Sequence, residues 1–184
     1  RVAQGDLPGP RIVTAGPVLS APEGHPAVTI CAGQVGGGDP DRADPFCRSH
    51  LAREVAGPED ARKAVRELAE QGVDFVKLAS DTLFGPVLMD GEVIEAIADQ
   101  AHREGLKAVG HVYEAKFMAS AAGAGLDGFV HPPTMARPLP DERARELAQL
   151  LAEAGTPVTS TLTPPMFMTD EPGPYLEDQL SNPR

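Results

Sequence analysis

Three residues carry reactive side chains where packing alone would not place them. In "VDFVKLAS" Lys77 sits between Val76 and Leu78, inside an apolar run. In "LKAVGHVYE" an apolar run closes on His111, and in "LDGFVHPP" another closes on His131. A buried ammonium is costly unless it is paired or chemically used. Two chemistries would use this set. In one, neutral imidazoles hold a divalent metal. A lysine amine that has added carbon dioxide becomes a carbamate, an anionic oxygen ligand able to bridge two metals. The metal lowers the pKa of a bound water and supplies hydroxide to attack an amide or ester carbonyl. In the other, Lys77 is an amine nucleophile that forms a Schiff base.

The elements that would position these residues follow a regular rhythm from residue 58 onward. A helix is expected from about Pro58 to Gln71, with Pro58 suited to the first turn and Glu59 and Asp60 complementing the dipole. Ala61, Ala64, Val65 and Leu68 give it one apolar face, and Gly72 can end it. Further helices are expected from about Gly91 to Glu104, over 115–124 and from about Asp141. Strands are expected near 11–20, 73–80, 106–111, 126–131 and 156–163. This alternation requires crossover connections and a parallel sheet. The fold class is therefore α/β, with about five parallel strands and four main helices in a single domain. Ligands of such folds bind beyond the carboxyl ends of the strands, where Lys77, His111 and His131 all fall. Residues 21–57, rich in Gly, Pro and Asp, read as one long strand-to-helix loop facing substrate. Its "GQVGGGDP" lacks the Gly-Lys-Ser/Thr of a phosphate loop. Residues 164–184 read as an irregular tail.

Composition bounds the function. The formal net charge of −11 leaves no basic face for a nucleic-acid backbone. No apolar stretch approaches the ~20 residues of a membrane span. Aromatic residues are 4% with no Trp, so Ala, Val, Leu and Ile must build the core. Two cysteines, Cys31 and Cys47, do not make a disulfide framework and are expected as free thiols, in keeping with a cytoplasmic rather than exported protein. The sequence opens on Arg1 rather than Met, so the natural N-terminus is expected upstream. His102 reads as an exposed helix-end residue, and His50 as a loop residue with too few companions for a metal knuckle. Met135, Met166 and Met168 read as lining or core.

The order "VKLAS … AHREGLKAVGHVYE … GLDGFVH … GTPVTSTL", preceded by "RIVTAGPVLSAPEGHP", resembles the amidohydrolase superfamily. The similarity is to its imidazolonepropionase-like and Xaa-Pro-dipeptidase-like branch, over roughly residues 10–165, and implies strands three to seven of a (β/α)8 TIM-barrel type of fold, here incomplete. The resemblance implies that Lys77 is the fourth-strand lysine, carbamylated and bridging metals. It makes His111 and His131 the fifth- and sixth-strand metal ligands, and places His25 and Tyr113 beside the substrate. It implies one or two divalent ions, zinc above all, and a small amide or dipeptide-like substrate cleaved at a C–N bond. The family's first-strand His-x-His pair does not occur, and Asp170, in "FMTDEPGP", is not assigned the role of its eighth-strand Asp. The chain is thus expected to be a fragment or truncated relative whose open sheet edges favour self-association. "VDFVKLAS" also looks like the reactive-lysine strand of deoxyribose-phosphate aldolases, which keeps a Schiff-base aldolase or lyase as the alternative. A non-catalytic barrel remnant is the third reading.

Overall fold

The computed structural model describes residue 2 and residues 4–31, 45–80, 87–133 and 139–161. The glycine-rich "GQVGGGDP", Met135, Met166, Met168, Asp170 and the tail 164–184 lie outside the described residues. The order of elements is β1 (Val18–Ser20), α1 (Pro45–His50), β2 (Ala52–Glu54), α2 (Pro58–Glu70), β3 (Val76–Ala79), α3 (Gly91–Arg103), β4 (Ala108–His111), α4 (Ala115–Gly123), β5 (Gly128–Phe129) and α5 (Asp141–Glu153). The five strands form one parallel sheet in the order β2-β1-β3-β4-β5. The expected fold class holds, with four long or medium helices and the short α1.

One expected loop and one expected strand differ in the structure. Residues 21–57 are not one loop, because β2 lies inside them and extends the sheet beyond β1. Its residues, Ala-Arg-Glu, have little strand propensity and are too few to show an alternating pattern. Of residues 156–163, expected as a full strand, the described residues 156–161 contribute one isolated parallel bridge, Phe129 to Val158. The β5 strand beside them is only two residues long and offers little to pair with.

Register sorts the sheet into two faces. Leu19 is level with Leu78, Leu78 with Gly110, and Gly110 with Phe129. Parallel partners at one level point to the same side, so these share a face with Val76 and Ala108. That face packs against the helices in one core that includes Val65, Leu68, Ile97 and Met118. Gly110 leaves room there: a Cβ would come within 2.8 Å of Leu126 Cδ1 and 3.4 Å of Phe129 Cδ1. The opposite face carries Val18, Ser20, Lys77, Ala79, Val109 and His111.

The helices stop where the sequence predicts. Gly72 has φ 76 and Gly105 has φ 73, the left-handed conformation that costs glycine nothing. Val73 N–H then donates to Leu68 C=O and Leu106 N–H to Ala101 C=O, closing the helix end before the chain turns into a strand. Gly125 and Gly155 repeat the device after α4 and α5. Arg62 bridges α2 to Asp99 of α3, and Arg53 of β2 pairs with Glu67 of α2. His102 is half-exposed and bonded to Asp127 at 2.8 Å, in keeping with its reading as a surface residue.

The cysteines are paired rather than free. Cys31 and Cys47 form a disulfide with Cα atoms 5.3 Å apart. The segment after β1 ends at Cys31 in a small cluster with Ala27 and Ala52, against which Cys47 packs, so α1 and β2 bring the second thiol to the first.

Candidate active site

The strand face opposite the helices opens into a cavity of about 320 Å³. Lys77, His111, His131, His25 and Tyr113 all line it, with Val18, Ile30 and Leu51 forming an apolar wall. The structure therefore brings together all five residues singled out in the sequence. They do not stand at equivalent heights. His111 is the last residue of β4, level with Ala79, whereas Lys77 is level with Val109, one layer deeper. His131 follows β5 in a bend.

The rings meet edge and face. His111 and His131 have centroids 4.5 Å apart and planes at 85°. His25 stacks on His111 at 4.6 Å with planes 24° apart. Tyr113 lies 4.6 Å from His111 and 4.7 Å from His131. Because β4 ends at His111 and Tyr113 follows two residues later, both return to one side of the chain. His111 and Tyr113 are 7% and 4% exposed.

Two hydroxyls orient the outer imidazoles. His25 Nδ1 and Thr29 Oγ1 share a hydrogen bond of 2.6 Å, within the first turn after the cis His25–Pro26 bond. His131 Nδ1 and Thr161 Oγ1 share one of 2.7 Å. Neither threonine was legible as a site residue. The i, i+4 spacing of His25 and Thr29 carries a weak signal, but Thr161 is 30 positions from its partner. Lys77 is half-buried, and desolvation pushes its amine below the usual lysine pKa. Neutral amine is the form that reacts with carbon dioxide or a carbonyl.

The donor set fits a divalent cation in part. Two perpendicular imidazoles at this separation are near the roughly 5 Å expected for two ligands of one tetrahedral ion with metal–nitrogen bonds of about 2.0–2.1 Å. Among the described residues no three His, Cys, Asp or Glu side chains are disposed to hold an ion. The set therefore fits if Lys77 supplies the anionic ligand as its carbamate. A larger cavity of about 470 Å³ lies between α4 and α5 and shares Tyr113 with this one. Of its charged residues, Lys116, Arg143 and Glu146 are exposed, and Glu114, paired with Lys116, is partly buried.

A parallel α/β sheet with imidazoles and a desolvated lysine in a cavity above it defines an enzyme-type barrel site. Known structures show what this arrangement is similar to. The sequence matches no protein-family profile and no curated protein. Its structure is similar to that of an amidohydrolase, at 27% identity and a TM-score of 0.67, covering 88% of this chain and 38% of the other. It is similar to a prolidase complexed with N-methylphosphonate-L-proline, at 28% identity and a TM-score of 0.68 over the same shares, 88% and 38%. A Xaa-Pro dipeptidase with methionine bound in its active site matches at 26% identity and a TM-score of 0.61, over 85% of this chain and 36% of its own. The chain is thus similar in structure to part of these amidohydrolase and prolidase folds, and spans about 38% of the length of the first two of them.

Proposed function

We propose that the protein is a metal-dependent hydrolase that cleaves a C–N amide bond, cyclic or dipeptide-like. The observation that carries this is the convergence of Lys77, His111 and His131 on one cavity. His111 and His131 would hold the ion, with Lys77 as its carbamate. A divalent cation bound there acidifies water and polarises a carbonyl. The protein's own residues do the rest. Thr161, on His131 Nδ1, leaves Nε2 as the nitrogen available to ligate. Burial of Lys77 disfavours the ammonium and so favours the neutral amine that carboxylation needs. Tyr113 and His25 stand at the same cavity with a phenol and an imidazole to offer a substrate. The apolar wall of Val18, Ile30 and Leu51 suits an apolar side chain or ring. The hydrolase names of the similar structures support this reading.

The desolvated amine of Lys77 would also serve Schiff-base chemistry, the second reading. The full-length protein decides between them. Lys77→Ala and His111→Ala should each abolish hydrolysis of dipeptide substrates, and a chelator should do the same. Retention of the rate in both variants would sink the hydrolase. A borohydride-trapped adduct on Lys77, formed equally with chelator present, would establish the lyase instead.

A further inference from the structure

His25 reaches the cavity on a segment, not on a strand, and its place over His111 needs a second anchor besides Thr29. That segment turns tightly after β1. Gly24 N–H donates to Ala21 C=O at 2.9 Å, and a Cβ on Gly24 would come within 2.9 Å of that same oxygen. Glu23, just before it, has φ 58, the one positive value among the described non-glycine residues. A left-handed glutamate persists only where its surroundings hold it. The holding contact comes from the strand hidden within 21–57. Glu54 ends β2, level with Ser20 of β1, and its Oε1 accepts the Glu23 N–H at 2.7 Å. That length is in the range of charge-assisted bonds. Two residues beyond Glu23, the His25 ring lies flat on His111.

We propose that Glu54 is the positioning residue for His25. Its carboxylate fixes the backbone at Glu23 and thereby keeps the imidazole stacked on His111 at the rim of the cavity. It acts through the main chain, and the inference does not depend on the hydrolase reading or on a bound metal. Thr29 sets the rotation of the ring; Glu54 sets where the ring is.

The test is NMR on the chain as it stands, with Glu54→Ala and Glu54→Gln. In E54A, exchange of the Glu23 amide should speed up by about tenfold or more, as a local opening no longer opposed by the carboxylate. The His25 ring protons should lose the ring-current shift from His111, and the His111 ring protons that from His25, while the Tyr113 and His131 shifts hold. E54Q keeps an acceptor oxygen and should restore both readouts most of the way. If E54A leaves the Glu23 amide and the His25 shifts unchanged, the ring is placed without Glu54 and the proposal is overturned. Should E54A fail to fold, the unaltered chain and E54Q decide. A slow-exchanging Glu23 amide that moves upfield in E54Q sustains the proposal. A Glu23 amide exchanging like an exposed loop amide in the unaltered chain overturns it.

Discussion

Lys77 is a base whose surroundings disfavour its charge, and the consequence can be worked out for stability. Its folded pKa lies below the ordinary 10.5 because burial strips water from the ammonium. Between the folded value and 10.5 the unfolded chain holds more protons than the folded one. Stability from this group therefore rises with pH across that alkaline window and is lowest where the buried amine is charged. Lys77→Met should remove that slope and stabilise the chain at neutral pH, as read by urea unfolding across the window. An unchanged slope in the variant would mean that Lys77 is solvated or already carbamylated. A second expectation concerns Thr161. Thr161→Val deletes the hydroxyl on His131 Nδ1, and zinc titrated calorimetrically into the chain should bind about 10–100-fold more weakly. Equal affinity would show that the ring needs no such orientation. At this scale the sequence was informative where chemistry interrupts an apolar run, as at Lys77, His111 and His131. It was silent at Thr29, Thr161 and Glu54, whose ordinary polar side chains gain meaning only from the partner that folding delivers.

At the scale of elements, legibility followed length and periodicity. α2, α3 and α5 show their apolar faces over three turns and their glycine stops, so the sequence places them within a residue or two. β2 offers three residues and no alternation, and its partner β1 lies across a segment of more than thirty residues, so only tertiary pairing reveals it. The cysteines misled for a related reason: their approach depends on α1 and β2 folding back, which spacing does not encode. The disulfide should matter to exactly this unit. With its ends 16 positions apart in sequence, its reduction should cost about 3 kcal/mol on the loop-entropy account. Urea unfolding with and without reductant measures it, and a change well under 1 kcal/mol would mean that the crosslink leaves the unfolded chain unrestrained. Gly110 tests the other face of the sheet. Gly110→Ala drives a methyl against Leu126 and Phe129 one residue before His111. A loss of about 1–3 kcal/mol is expected from overpacking, readable in the same unfolding experiment.

At the scale of the whole molecule, the sheet formed by the described residues is open. Among the described residues β2 pairs only with β1, and on the far side β5 meets only the Val158 bridge. A closed barrel has no such edges, and the similar structures are more than twice as long as this chain. The β2 side also carries apolar surface: Phe46 is 67% exposed, and Ile30 and Leu51 stand at the mouth of the cavity. Unpaired strand groups beside apolar side chains are the usual template for pairing with another chain. The net charge of −11 opposes close approach of two copies, and salt screens that repulsion within about 8–10 Å at ordinary ionic strength. The two effects predict a specific signature. Sedimentation velocity on this chain should show self-association that grows with concentration and strengthens as salt is raised. Phe46→Glu, which adds charge and removes apolar area at that edge, should shift the equilibrium back to monomer. A chain that stays monomeric at high concentration and high salt would show that the described edge is covered by other parts of the chain. The cavity at the strand ends would then be shielded on the β2 side as well, and its apolar wall would serve the substrate rather than a missing neighbour.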